Sequence, residues 1–382
     1  TYLFARHAVQ LHPLPAWITG IIFAFGGFLG AQVEHLNQLN ASVWFPWLLL
    51  FLEGSVSRAR WRWLSLLLGG GVIALVFLAG HSQAAFVVLV GTAVYALLHG
   101  TVGARRPRDL ASMERYPRLG ALLIMGTIGV VLSAAQLVPT IELAQLSVRS
   151  GGLPYQEAAS FSLRPSLIFK SVLPPLLWEL PFSEFVAYVG LVGLGLATAG
   201  AWYLRPTDAE PALDKTRGRM RIFGRAALGL AILGILLAFG AYNPLYYLLY
   251  RFVPGFALFR VPARWLMLYA FGMAVLGGIG ASRLLRTRRW MIAVSILLVV
   301  GLFVAGRRLA YNQPTAPAAY DSMRTAPAHI LADSDSGLHR FLSMSDIQYD
   351  PGDMADLQAM YDSRLPQATV YDLIVATKMK EV

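Results

Sequence analysis

Val253-Pro-Gly-Phe-Ala-Leu-Phe-Arg260-Val-Pro262-Ala-Arg264-Trp265 is a basic, proline-broken knot between two apolar stretches. The flanks read as membrane helices, and two arginines four residues apart at the mouth of one helix share a direction. Pro262 fixes its own φ and biases Val261 to an extended conformation, so a helix is expected to start at about Pro262. Arg264 then lies in its first turn, beside free backbone N–H groups and the positive dipole end. An arginine fork at that depth suits a phosphate. Arginines that only mark the interface would instead snorkel to water.

Working outward, the same apolar texture recurs along the chain. The 382 residues are 56% hydrophobic and only 14% charged, with a mean hydropathy of +0.55. A soluble domain carries about a quarter charged residues. Nine spans are expected: 14–33, 43–55, 61–79, 84–100, 119–139, 185–204, 226–242, 263–281 and 290–305. Residues 1–308 then form a multi-pass transmembrane domain. Residues 309–382, where the charge balance turns from +16 to −5, form a soluble portion. That portion is expected to be a small α+β unit, with an extended linker at Tyr311–Pro317, a helix near Asp353–Met360 and a strand at Ala368–Thr377. The chain opens on Thr1 rather than Met, so an N-terminal part is expected to be missing. A lone helix and strand bury little, so the C-terminal portion is expected either to pack on the membrane domain or to be cut short itself. With no cysteine there is no disulfide framework and no thiolate metal site.

Arginine and lysine set the orientation. Loops on one side of the nine spans hold 18 basic residues, among them Arg58, Arg105, Arg219 and Arg288, and the intervening loops hold six. The rich side is expected to be cytoplasmic, which puts the C-terminal portion outside the cell membrane. The basic surplus belongs to these loops and implies no nucleic-acid partner.

Ionisable groups at membrane depth are costly and tend to be functional. Glu34, His35 and Asn37 follow the first span, and His81 and Gln83 occupy a tight turn on the same side. Gln136 and Glu142 close the fifth span, while Glu184 and Tyr188 open the sixth. With Arg260 and Arg264 they make a carboxylate, imidazole and amide set suited to general-base chemistry beside an anionic lipid headgroup. Gly190, Gly193 and Gly195, with Gly26, Gly27 and Gly30, read as helix-packing surfaces rather than a nucleotide fingerprint. Asp333-Ser-Asp335-Ser-Gly337 starts like a calcium loop, but its glycine falls one place early and its twelfth position is Met344. No other motif has metal-ligand spacing, so no cofactor is assigned, and a divalent cation stays open.

Four stretches resemble the YfhO family of bacterial multi-pass membrane proteins: Gln32-Val-Glu-His35-Leu-Asn-Gln-Leu-Asn-Ala-Ser-Val-Trp44-Phe-Pro46-Trp, Ala79-Gly-His81-Ser-Gln83, Ala135-Gln136-Leu-Val-Pro139-Thr-Ile-Glu142, and Val253-Pro-Gly-Phe with Phe259-Arg260-Val-Pro262-Ala-Arg264. The resemblance implies a GT-C-like helix bundle, an all-α polytopic membrane protein. Its activity would be transfer of a sugar from a polyprenyl-phosphate carrier to a cell-envelope polymer or lipid on the outer face. It also implies that the catalytic carboxylate belongs to a first outer loop ahead of Thr1, leaving Glu34 and Glu142 as helpers. Substrate binding would fall to His35, Asn37, His81, Gln83, Gln136, Glu184, Tyr188, Arg260 and Arg264. The alternatives are a lipid or polysaccharide transporter or flippase, and a non-catalytic membrane scaffold.

Overall fold

The computed structural model describes residues 1–56, 61–102, 117–147, 150–174, 183–205 and 215–307. The chain divides into two compact units, Thr1–Asn312 and Gln313–Val382. The expected C-terminal helix and strand, the linker and the calcium-like loop all lie outside the described residues.

Among the described residues every regular element is helical. In chain order they are α1 (Pro13–Ala24), α2 (Gly27–Ala31), α3 (Leu36–Ser42), α4 (Phe45–Val56), α5 (Arg62–Leu78), α6 (Ser82–Val102), α7 (Pro117–Leu132) and α8 (Ala134–Gln145). There follow α9 (Tyr155–Ala158), α10 (Ile168–Val172), α11 (Leu191–Tyr203), α12 (Lys215–Ala238), α13 (Pro244–Phe252), α14 (Leu266–Leu284) and α15 (Arg288–Gly306). Short 3-10 turns join them, including Gln32–Glu34, Ser183–Phe185 and Pro262–Trp265.

Among the described residues six helical stretches are long and apolar enough to cross a membrane: Pro13–Ala31, Leu36–Val56, Ser82–Gly100, Thr216–Ala238, Pro262–Leu284 and Arg288–Gly306. A seventh is reached if α7 and α8, bent by 84° at Ser133, count as one span. The protein is therefore a helical multi-pass membrane protein, with six or seven such helices among the described residues rather than the nine expected. The shortfall is one of length. α5 has 17 residues and α11 has 13, about 26 and 20 Å of helix against a hydrocarbon core of about 30 Å. The expected span 185–204 loses its first part because Val186–Gly190 is not helical. In the other direction, α3 and α4 together carry the short second span back to Leu36.

α14 is the central helix, buried on nearly every side, with α1, α11 and α12 packed around it. Its glycines permit that crowding. A Cβ on Gly280 would lie 1.9 Å from the carbonyl oxygen of Leu196, and one on Gly200 2.1 Å from that of Leu276, so α11 and α14 cross backbone to backbone. These two make the tight crossing, whereas Gly30 and Gly195 face open space. An apolar layer fills the middle of the bundle, where the Phe271 ring meets those of Phe45 at 4.9 Å, Phe4 at 5.5 Å and Phe23 at 5.7 Å. α15 turns Ile296, Leu297, Val300 and Phe303 outward, an apolar surface of the kind a bilayer covers.

Candidate functional site

The knot ahead of α14 takes a form the proline rule does not give. Val261 adopts φ 63°, ψ 72°, a left-handed conformation that a β-branched residue holds only when its surroundings impose it. This corrects the extended Val261 expected from Pro262. Gln83, in the first turn of α6, is hydrogen-bonded to this turn. The Gln83 amide nitrogen donates to the carbonyl oxygens of Arg260 and Val261, and its oxygen accepts from Nη1 of Arg264. One glutamine thus pins the strained turn and the arginine beyond it.

The Nε–Nη2 edge of the Arg264 guanidinium is engaged by Glu184. Nε donates to Oε2 and Nη2 to Oε1, each at 2.7 Å, a bidentate pair with the carboxylate fully buried. Three of the five Arg264 N–H groups are thus engaged, two of them by Glu184, and one N–H remains on each of Nη1 and Nη2. The Glu184 turn is held in place by the segment after it. Ala187 N–H donates to Ser171 O at 3.0 Å, and Gly27 N–H donates to Tyr188 O. A side chain at residue 27 would bring its Cβ within 2.6 Å of Val186 Cγ1, so only glycine lets α2 approach this closely.

His81 sits beside this pair, before α6. Its Nδ1 accepts the Ala84 N–H at 3.0 Å, which caps the helix and leaves the ring proton on Nε2. Burial first, then the charges of Arg264 and His35, push its pKa down to about 4, so the imidazole is neutral at pH 7. His35 is flanked at three-residue spacing by Gln32 and Gln38. Its N–H donates to Gln32 O at 2.9 Å, and its own carbonyl accepts from Leu39 N–H at 2.9 Å. Gln32 is 0% and Gln38 1% exposed, and neither amide nitrogen nor oxygen of either side chain has a hydrogen-bond partner. Each orphaned group of this kind costs about 1–3 kcal/mol.

The expected site residues therefore divide. Gln83, Glu184, Arg264, the Arg260 carbonyl, His81 and His35 come together. Asn37 is exposed, with its side-chain oxygen accepting Gln38 N–H. The Tyr188 hydroxyl accepts Leu191 N–H at 3.0 Å, at the start of α11. Gln136 and Glu142 lie exposed on α8. Glu34 belongs to the Gln32–Glu34 turn.

A second polar cluster escaped the sequence reading. Glu53 of α4 accepts from Nε and Nη2 of Arg118 on α7 at 2.7 Å each, and from the Tyr95 hydroxyl of α6 at 2.7 Å. His99, one turn after Tyr95, places Nε2 4.0 Å from Glu53, with its ring 4.9 Å from that of Phe223. A carboxylate inside an apolar span was the signal that could have found it.

An apolar groove of about 630 Å³ lies between α15, with Val299, Leu302 and Phe303, and the stretch at the end of α1 and along α2, with Phe25, Leu29 and Val33, and it meets α3 only at Leu39. Among the described residues no three His, Cys, Asp or Glu side chains come together as a metal site. No family model, curated protein or solved structure matches the chain.

Proposed function

We propose that this protein is a membrane glycosyltransferase that moves a sugar from a polyprenyl-phosphate carrier to a polymer or lipid of the bacterial cell envelope, on the outer face of the cell membrane. The observation that supports the reading is a buried polar cluster at the Glu184 turn, against which α2 packs, with α2 also lining an apolar groove on its other neighbour, α15. A lipid-linked sugar needs both, a polar receptacle for its head and an apolar channel for its chain.

In the reaction an acceptor hydroxyl oxygen attacks the sugar C1. The new O–C1 bond forms as the bond from C1 to the phosphate oxygen breaks, and the lipid phosphate leaves with that electron pair. A carboxylate takes the hydroxyl proton. Glu184 is poorly suited to that task, because both its oxygens are engaged by Arg264. Its part is to fix the arginine, and through Gln83 the turn at Val261.

A transporter would need a polar path through the bundle. Between Ala84 and Val94 the only polar side chain of α6 is Thr92, whose hydroxyl donates to Val88 O. The test is incubation of the full chain, in nanodiscs, with a radiolabelled polyprenyl-phosphate hexose and envelope lipid or polymer. Release of polyprenyl phosphate with label in the acceptor is the expected result. Movement of the intact lipid between leaflets without cleavage would identify a flippase and end the enzyme reading.

A further inference from the structure

The central helix α14 has an arginine at each end. Arg264, in the turn before it, is tied to Glu184, whereas Arg283, in its last turn, contacts a tyrosine ring and a methionine sulfur. The two are 19 residues apart, about 28 Å along the axis, so they stand at opposite faces of the membrane.

Four arginines gather at the Arg283 face, around the end of α11. The guanidinium carbon of Arg283 lies 4.3 Å from the centre of the Tyr203 ring, and that of Arg221 on α12 lies 5.7 Å from the same centre. Nη2 of Arg221 donates to Arg205 O at 3.3 Å, Nη2 of Arg225 to Leu204 O at 3.4 Å, and Nη2 of Arg283 to Met220 Sδ at 3.6 Å. Arg205 itself stacks on Trp202, 3.7 Å from the ring centre. Helices α11, α12 and α14 thus bring their cations to one ring and one helix end.

The end of α11 offsets part of this charge. Its last carbonyls are partly negative, equivalent to about half an elementary charge, and two of them accept from Arg221 and Arg225. Half a charge does not balance four cations. Among the described residues no carboxylate pairs with Arg205, Arg225 or Arg283, the ion pairs lying at Glu53 and Glu184. Because Arg221 and Arg283 share a ring, their centres lie within about 10 Å of each other, one Debye length at about 0.1 M salt, and they repel. The Tyr203 hydroxyl and Nε of Arg283 also lack a hydrogen-bond partner.

A guanidinium stacked on an aromatic face keeps its in-plane N–H groups for a further acceptor, and phosphate oxygens suit that fork. Exposed apolar side chains stand beside the cations. Trp202 is 65% and Leu284 59% exposed, a surface that acyl chains cover and a soluble phosphate would not use. A basic site between spans at the arginine-rich face is of the kind that holds anionic lipid headgroups. We infer that Arg205, Arg221, Arg225 and Arg283 bind the phosphate of an anionic phospholipid, which bridges α11, α12 and α14 at the membrane face opposite the Arg264 cluster. The inference needs nothing from the proposed transfer reaction.

The test titrates the full chain, delipidated in detergent, with dioctanoyl phosphatidylglycerol or dioctanoyl phosphatidylcholine, and counts bound lipid by native mass spectrometry. The parent is expected to bind the glycerol lipid at least about tenfold more tightly. Arg221→Gln with Arg283→Gln should weaken that binding by about tenfold. Arg205→Gln, at an exposed side chain, should weaken it about threefold and serves if the double variant fails to insert. Arg288→Gln with Arg289→Gln removes as much charge at the start of α15 and should leave the affinity unchanged. An equal loss in that control would reduce the effect to general surface charge and overturn the inference. So would equal affinity for the two lipids, or site variants that bind like the parent. Displacement of the lipid by an equal concentration of glycerol phosphate would make this a site for a soluble phosphate and end the lipid assignment.

Discussion

Helix α6 carries two buried arginine–carboxylate clusters, and they are built to opposite ends. Near its start Gln83 touches the Arg264–Glu184 pair, and near its finish Tyr95 and His99 touch the Arg118–Glu53 pair. Gln83 and His99 are 16 residues apart, about 24 Å along the helix axis. At the Arg118 end the carboxylate is saturated by the arginine and a tyrosine hydroxyl, and it joins α4, α6 and α7. At the Arg264 end the pair is equally tight, but it is bordered by a strained turn, and α2, which packs on the Glu184 turn, lines an apolar groove. The Arg118 end is not wholly satisfied, since the buried His99 Nε2 has no hydrogen-bond partner, but its carboxylate ties three helices together. A polar pair with a strained turn and an apolar groove near it is where a ligand fits.

The largest expected effect tests the fastening role. Arg118→Ala leaves Glu53 buried without its main partner and should lower stability by about 3–5 kcal/mol, read from denaturant unfolding in detergent. Replacing both, Glu53→Leu with Arg118→Leu, should recover most of that loss. If the double variant is no better than the single one, the cluster does more than join helices.

The matching double replacement at the other end, Glu184→Leu with Arg264→Leu, should also recover stability relative to Arg264→Ala. It is expected to abolish binding of farnesyl-phosphate glucose, because Gln83 and the Val261 turn lose their anchor. Retained binding would make the two ends equivalent and erase the contrast drawn here.

Arg264→Lys is a milder version of the same cut. One ammonium cannot hold both oxygens of Glu184 and the oxygen of Gln83 in the same geometry. Sugar transfer should fall about tenfold, equivalent to about 1.4 kcal/mol, with the amount of inserted protein unchanged. A lysine variant as active as the parent would remove Arg264 from the site.

Labelling sharpens the comparison by saying which side each end faces. The chain has no cysteine, so single cysteines report cleanly. Ser82→Cys at the Arg264 end should react with an impermeant reagent in intact cells, as should Ser322→Cys, while Ser112→Cys should not. Reaction of Ser112→Cys would reverse the assigned orientation.

The smallest effect is a pH dependence at His81. Its folded pKa of about 4 lies below its ordinary 6.5, so folding favours the neutral ring. The associated stability is fully present above about pH 6.5 and is lost as pH falls toward 4. His81→Gln, which keeps an acceptor for Ala84 N–H, should unfold with a flatter profile across that window. Superimposable profiles would mean that His81 is more solvated than its surroundings indicate.

Hydropathy alone made this a helical membrane protein, because the energy of crossing a bilayer is nearly additive over a run of residues and the run is written contiguously. It overcounted spans where apolar residues are not all helical, as in the buried non-helical segment 186–190, and where α7 turns by 84° into α8. It also brought His81, Gln83, Glu184 and Arg264 under suspicion, since polar residues at span ends are visible in one dimension. What it could not supply was pairing. Arg264 was read as an open fork, and Glu53 drew no notice inside its span. Gln83 lies 177 residues from the Arg260 carbonyl it binds, Glu184 lies 80 from Arg264, and Glu53 lies 65 from Arg118. A charge at the end of an apolar run carries no local mark of its partner. Only the packing of helices around α14 decides which groups share a buried, low-dielectric space, and hence which arginine already holds a carboxylate.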